Sequence, residues 1–101
     1  MKNLALVLFS GQTNLDFVGF YDCMLRLKAA RPQLEMRFCS REWQVWDSGG
    51  LTIDVGEITT DLGGFDAVFV PGGMATRRLK DDAGFISWLA TARDAKYKFS
   101  V

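Results

Sequence analysis

Ala67-Val68-Phe69-Val70-Pro71-Gly72-Gly73-Met74-Ala75-Thr76-Arg77-Arg78 decides how this chain is read. A short run of β-branched and aromatic residues that ends in Pro and Gly reads as a buried strand stopping in a tight loop. Gly72 and Gly73 carry no Cβ, so their backbone N–H groups can approach a ligand and point at negative charge as it develops. Binding crevices of open α/β sheets lie beyond the carboxyl ends of their strands. The pair is therefore a candidate site, with a plain turn as the competing reading.

Strand-like and helix-like segments alternate on both sides of this stretch. Leu4–Phe9 is continuously apolar, as expected of a central parallel strand covered on both faces. Ser10-Gly11-Gln12 breaks it, and Thr13 or Asn14 caps a helix from Leu15 to Ala30 that Pro32 ends. Leu15, Val18, Tyr21, Met24, Leu25 and Leu27 cover more than one stripe of that helix, so it is expected to pack on the sheet and on a second subunit, giving a homodimer. Leu34, Met36 and Phe38 alternate with Glu35 and Arg37, the period of a half-exposed strand nearer the sheet edge. Trp43–Trp46 and Leu51–Val55, around Asp47-Ser48-Gly49-Gly50, read as a β-hairpin appended to the main sheet.

Beyond the glycine pair, Thr76–Lys80 reads as a turn of helix. Asp82 caps a helix expected to run from Ala83 to Ala95, and Tyr97–Val101 begins a last strand. The order predicts an α/β fold over residues 1–101: one domain with a doubly wound, mostly parallel sheet and helices on both faces. No covering helix follows the last strand, so the folding unit reads as incomplete. A fragment, a chain broken at a modified residue and a subunit completed by another chain all fit that reading. On its own the 1–101 polypeptide is then not expected to unfold cooperatively as a soluble monomer.

Composition excludes several classes of function. Twelve Lys plus Arg balance twelve Asp plus Glu, which argues against a nucleic-acid partner held through phosphates. No apolar run approaches the ~20 residues that cross a bilayer, and the start lacks a convincing signal-peptide cleavage site. Cys23 and Cys39 make neither a disulfide framework nor a metal site, so both read as buried inert thiols in a reducing cytoplasm. With no histidine, the chain cannot run Cys–His or Ser–His chemistry by itself. No residue pattern calls for a cofactor. Arg77 and Arg78 read as solvated surface or as anion contacts, and Trp43, Trp46 and Trp88 as packing or interface residues.

Three segments carry a family likeness: Leu15-Asp16-Phe17-Val18-Gly19, Phe65-Asp66-Ala67-Val68-Phe69-Val70-Pro71-Gly72-Gly73, and Lys98-Phe99-Ser100-Val101. In this order and spacing they resemble the ThiJ/PfpI superfamily of glutamine-amidotransferase-like proteins. The likeness is strongest to isonitrile hydratases and to the amidase-like sensor domains of AraC-type regulators. It covers the whole chain and implies a flavodoxin-like, class I glutamine amidotransferase-like sheet. It also implies that Asp16 is the active-site acid beside a cysteine nucleophile. The Gly73 N–H would help stabilise an oxyanion, and Gly72 would shape its loop. The strand ending at Val101 would run into the nucleophile elbow, placing the cysteine and any histidine partner beyond it. Phe20 stands where a proline is usual and Ala75 where a glycine is common. Phe20 is thus expected to reshape the pocket mouth, and it joins Gly72 and Met74 as a substrate-binding candidate.

Asp16 has a plainer reading as well. An acid in the first turn of a helix answers the macrodipole, for ~0.3–1 kcal/mol. Three functions fit the residues and the resemblance together. One is a cysteine-dependent enzyme acting on a small molecule, of the isonitrile hydratase kind or a related hydrolase. The second is a ligand-sensing domain of a transcription regulator. The third is a thiol-based stress sensor or chaperone-like protein.

Overall fold

Alternation along the first strand sets the layers. In the computed structural model, which describes residues 1–101, Leu4, Leu6 and Leu8 face one side of the sheet and Ala5, Val7 and Phe9 the other. In chain order the elements are β1 (Asn3–Val7), α1 (Asn14–Ala30), β2 (Glu35–Cys39), β3 (Gln44–Trp46) and β4 (Thr52–Asp54). They continue with β5 (Ala67–Val70), α2 (Thr76–Leu79), α3 (Ala83–Ala90) and β6 (Tyr97–Ser100). Four strands form one parallel sheet in the order β2-β1-β5-β6, with Leu4 in register with Met36 on one side and Ala67 on the other.

The leucine side of β1, with Ala67 and Phe69, packs under Phe17 of α1 and is flanked by Phe20, Tyr21 and Met24. The opposite side, with Val68, packs on Phe85 and Trp88 of α3. Helices therefore cover both faces of a mostly parallel sheet, as the alternating pattern predicts. Leu4 through Val7 are wholly buried, which is why that strand reads as unbroken apolar sequence.

Four details differ from the sequence reading. The ladder of β1 ends at Val7, although Leu8 still donates its N–H to the Cys39 carbonyl at 2.9 Å. The hairpin β3–β4 is a separate two-stranded sheet, because Val45, Ile53 and Val55 turn inward onto the leucine-side core rather than extending an edge. Helix α3 stops at Ala90, short of Ala95. The Thr91 hydroxyl donates to the Trp88 carbonyl at 2.6 Å and accepts the Leu62 N–H at 2.8 Å, closing the helix with a turn. Cys23 is exposed on α1, whereas Cys39 is buried.

Asp82 caps α3 as expected, accepting the Phe85 N–H at 3.0 Å. Thr13 occupies the N-cap position of α1, but its hydroxyl makes no capping bond. The strand β6 is exposed along its length, and Tyr97, Phe99 and Val101 keep open apolar surface. No helix of the chain is long and apolar enough to cross a membrane.

At the amino end of the sheet, Asp66 ties β1 to β5. Its carboxylate accepts the Lys2 N–H at 2.8 Å and the Asn3 N–H at 3.3 Å, while its own N–H donates to Asn3 Oδ1. The hydrogen bond from Lys2 holds the Asp66 carboxyl below its usual range, with Asn3 and the nearby amino terminus adding to the effect. A carboxyl lowered on folding contributes stability that is fully present above about pH 4 and is lost as the pH falls through its folded value. The acid limb of a denaturation profile is therefore expected to flatten in Asp66→Asn, with stability near neutral pH reduced. Superimposable profiles for variant and parent would show that this bond does not hold the strands together.

Candidate functional site

Two loops at the carboxyl ends of β1 and β5 press backbone against backbone. Thr13 donates its N–H to the Gly72 carbonyl at 2.9 Å. Gly73 has φ +143°, and a Cβ there would sit 2.7 Å from the Gly11 oxygen and 2.9 Å from the Thr13 nitrogen. Gly11 has φ +88°, and its own Cβ would fall 2.6 Å from that of Ala75. Only glycine fits at positions 11 and 73, for conformation and for space.

Gln12, which the sequence reading treats only as part of a strand break, is wholly buried and holds the first loop in shape. Its Oε1 accepts the Phe9 N–H at 3.1 Å and its Nε2 donates to Asn14 Oδ1 at 3.1 Å. Nothing in a lone glutamine between a strand and a helix cap marks it in advance as buried.

Asp16 lies in the first turn of α1, half-buried. Its carboxylate forms none of the molecule's ion pairs. One Oδ stands 3.1 Å from the place a Gly72 Cβ would occupy, and the Val101 carbonyl oxygen stands 2.8 Å from the same point. The two oxygens are thus no farther apart than those distances combined, and both would crowd a side chain at position 72. Neither Gly72 nor Gly73 donates its N–H to a backbone acceptor. An unpaired carboxylate and the end of β6 thus meet at Gly72, in a loop whose two glycine amides are uncommitted.

The remaining candidates make other contacts. The Phe20 ring is half-buried, stacked on Phe69 with centroids 4.0 Å apart and 5.4 Å from the Phe99 centroid. Met74 is exposed on the outer side of the loop, toward a cleft shared with Trp46 and Arg78. Arg77 and Arg78 are exposed and form no ion pair. Trp88 is core, and its indole N–H donates to the Thr59 carbonyl, whereas Trp43 and Trp46 are surface residues.

Neither cysteine supplies an atom among those nearest the Gly72 Cβ position. Burial pushes the Cys39 thiol above its ordinary value, which suppresses the thiolate and makes this cysteine inert. Exposed Cys23 is open to reagents. Of these two thiols, iodoacetamide is expected to alkylate Cys23 in the native protein and to reach Cys39 only after denaturation, as read by peptide mass spectrometry. Equal labelling of both in the native state would contradict the burial of Cys39.

Known structures share this architecture. Oxidized DJ-1 of Toxoplasma gondii superposes with a TM-score of 0.75 at 19% identity, covering 99% of this chain and 55% of its own. A two-domain protein of Anabaena variabilis, containing DJ-1/ThiJ/PfpI-like and ferritin-like domains, superposes at 0.67 and 17% identity, over 99% of this chain and 29% of its own.

The chain has the ThiJ/PfpI fold. An AraC family transcriptional regulator from Pseudomonas putida shares it as well, with a TM-score of 0.62 and 19% identity over 84% of this chain and 52% of that one. The ThiJ/PfpI likeness is one of shape, since no protein-family model and no curated protein matches the sequence. The chain spans about half the length of the DJ-1 and regulator structures. Within the ThiJ/PfpI sheet, the Asp16 turn and the Gly72-Gly73 loop both sit at the carboxyl ends of the strands, the side where open α/β sheets place their sites.

Proposed function

We propose that this chain supplies the acid and the charge-stabilising amides of a thiol-dependent enzyme that acts on small molecules, of the isonitrile hydratase kind. The meeting of the Asp16 carboxylate and Val101 at Gly72, in a loop where the Gly72 and Gly73 amides are uncommitted, carries this reading. A cysteine thiolate contributed by a segment beyond Val101 completes the site. The thiolate adds to the terminal carbon of an isonitrile, forming a C–S bond, and that carbon takes a proton from the Asp16 carboxyl. Water then adds to the thioimidate carbon and returns a proton to Asp16. The nitrogen takes the remaining hydroxyl proton, leaving an oxyanion held by the Gly73 N–H, and collapse of that oxyanion to the carbonyl breaks the C–S bond. The products are an N-substituted formamide and the regenerated thiolate.

The exposed Leu15, Val18 and Leu25 of α1 support a homodimer formed through that helix. A second reading is favoured by the likeness to the Pseudomonas putida regulator. In it, the same crevice binds a metabolite and performs no chemistry. Incubating the intact protein with a panel of alkyl and aryl isonitriles separates the two. Formamide appearing by NMR in proportion to enzyme supports the hydratase. Saturable binding with no formamide overturns it in favour of the sensor.

A further inference from the structure

On the α3 side of the sheet, a cleft of about 840 Å³ whose lining includes neither Asp16 nor Gly72 opens past the ends of β1 and β2. Its size suits a small organic ligand. Phe9 and Phe85 form an apolar floor, their rings packed edge to face at 5.9 Å, and half-exposed Trp46 stands at the wall.

The polar groups of the cleft divide sharply. Its carboxylates are turned into the protein's own hydrogen bonds: Glu42 accepts from Ser10 Oγ, Asp47 from the N–H groups of Gly49 and Leu51, and Asp82 from the Phe85 N–H. Arg78, on the same lining, forms no ion pair. Arg41 reaches Asp82 only at 3.9 Å. Its guanidinium lies over Gly84 in the first turn of α3, where a Cβ would be 3.0 Å from Arg41 Nη2. A cation at that end of a helix is unfavourably placed; the Asp82 carboxylate offsets it in part, and a bound anion offsets it further. Ser40 is 1% exposed, and its oxygen accepts the Glu42 N–H, yet no protein acceptor takes its hydroxyl hydrogen. The donors left over are the Arg78 guanidinium and a buried hydroxyl above an aromatic floor, with Arg41 held by Asp82 only at 3.9 Å.

We infer that this cleft is a second binding site, for a small aromatic carboxylate whose anionic group is held by Arg78 with Arg41 alongside. The planar guanidinium fork matches a carboxylate in two-point contact, and the ring lies against Phe9, Phe85 and Trp46. Its lining shares Met74 with the substrate-binding candidates but excludes Asp16, Gly72 and Gly73, so binding there needs no step of the chemistry proposed above.

Titration of the isotope-labelled intact protein with benzoate tests this by NMR. Saturable shifts are expected in the Trp46 indole N–H and in the Gly11 and Ala75 amides. Loss of a charge-assisted hydrogen bond costs about tenfold or more in affinity. Arg78→Ala and the exchange of benzoate for neutral benzamide should each weaken binding by that factor. Arg77→Ala, one residue away and off the lining, should bind benzoate as the parent does. Retention of the parent's spectral dispersion by Arg78→Ala shows that the fold survives. Benzoate shifts confined to other regions, equal affinity for benzamide, or equal losses in the Arg77 and Arg78 variants would each overturn the site.

Discussion

Asp16→Asn in the intact protein is expected to lower isonitrile hydration by about 10²–10⁴-fold, the usual contribution of a positioned proton-transfer group. The amide keeps the size of the carboxyl but can neither give the carbon a proton nor recover one from water. Stability should change little. The Asp16 carboxylate forms no ion pair, so the loss is confined to its interaction with the start of α1, no more than about 1 kcal/mol. Asp16→Ala should match Asp16→Asn in rate. That agreement separates proton transfer from side-chain packing, and the measurement is kcat beside a thermal midpoint for each variant. Parent-like kcat in both variants would remove Asp16 from the mechanism and leave it as a helix-terminal acid.

Gly73→Ala is expected to destabilise the protein by about 3 kcal/mol or more, the strain of an unfavourable backbone conformation added to that of an overfilled contact. At φ +143° the new methyl would meet the Gly11 oxygen at 2.7 Å and the Thr13 nitrogen at 2.9 Å, both backbone atoms that cannot rotate away. The two loops must then part, which also breaks the bond from the Thr13 N–H to the Gly72 carbonyl. Gly19 is the internal comparison. Nothing lies within 4 Å of its Cβ position in α1, so Gly19→Ala should be neutral or stabilising by up to about 1 kcal/mol. Chemical denaturation of the three proteins checks the contrast. Equal midpoints for the two alanine variants would mean that the loops tolerate separation.

The fold was legible where one physical signal dominated. Leu4–Val7 is apolar throughout because both faces of β1 are covered, and Val70-Pro71-Gly72-Gly73 stops a strand because proline and glycine cannot continue it. The hairpin was found, but not its place. Val45 and Ile53 alternate alike whether their strands join a sheet edge or lie against a core as a sheet of their own. The end of α3 was hidden because Ala92 and Ala95 remain buried in the turns that follow it, prolonging the apolar pattern past the helix.

The same limits apply at the site. Glycine at positions 72 and 73 announces a close approach, but not that Asp16 and the Val101 carbonyl are what approach. Residues that act through long-range contact leave no local trace. Gln12 is buried by a loop it bonds to, and Arg78 faces a cleft assembled from β1, β2 and the start of α3. Cys23 failed for the opposite reason. Its surroundings on α1 are apolar enough to suggest burial, yet that face of the helix is open.

The crystal structure of the intact protein after reaction with a haloacetamide would probe the convergence at Gly72 most directly, because the adduct carries a carbonyl oxygen where the charge is held to develop. That oxygen should lie within hydrogen-bonding distance, about 3 Å, of the Gly72 or Gly73 nitrogen, with the Asp16 carboxyl touching the attached carbon. Apart from the adduct expected on Cys23, an adduct whose carbonyl points away from both glycines, or whose carbon is out of reach of Asp16, would contradict the site built here.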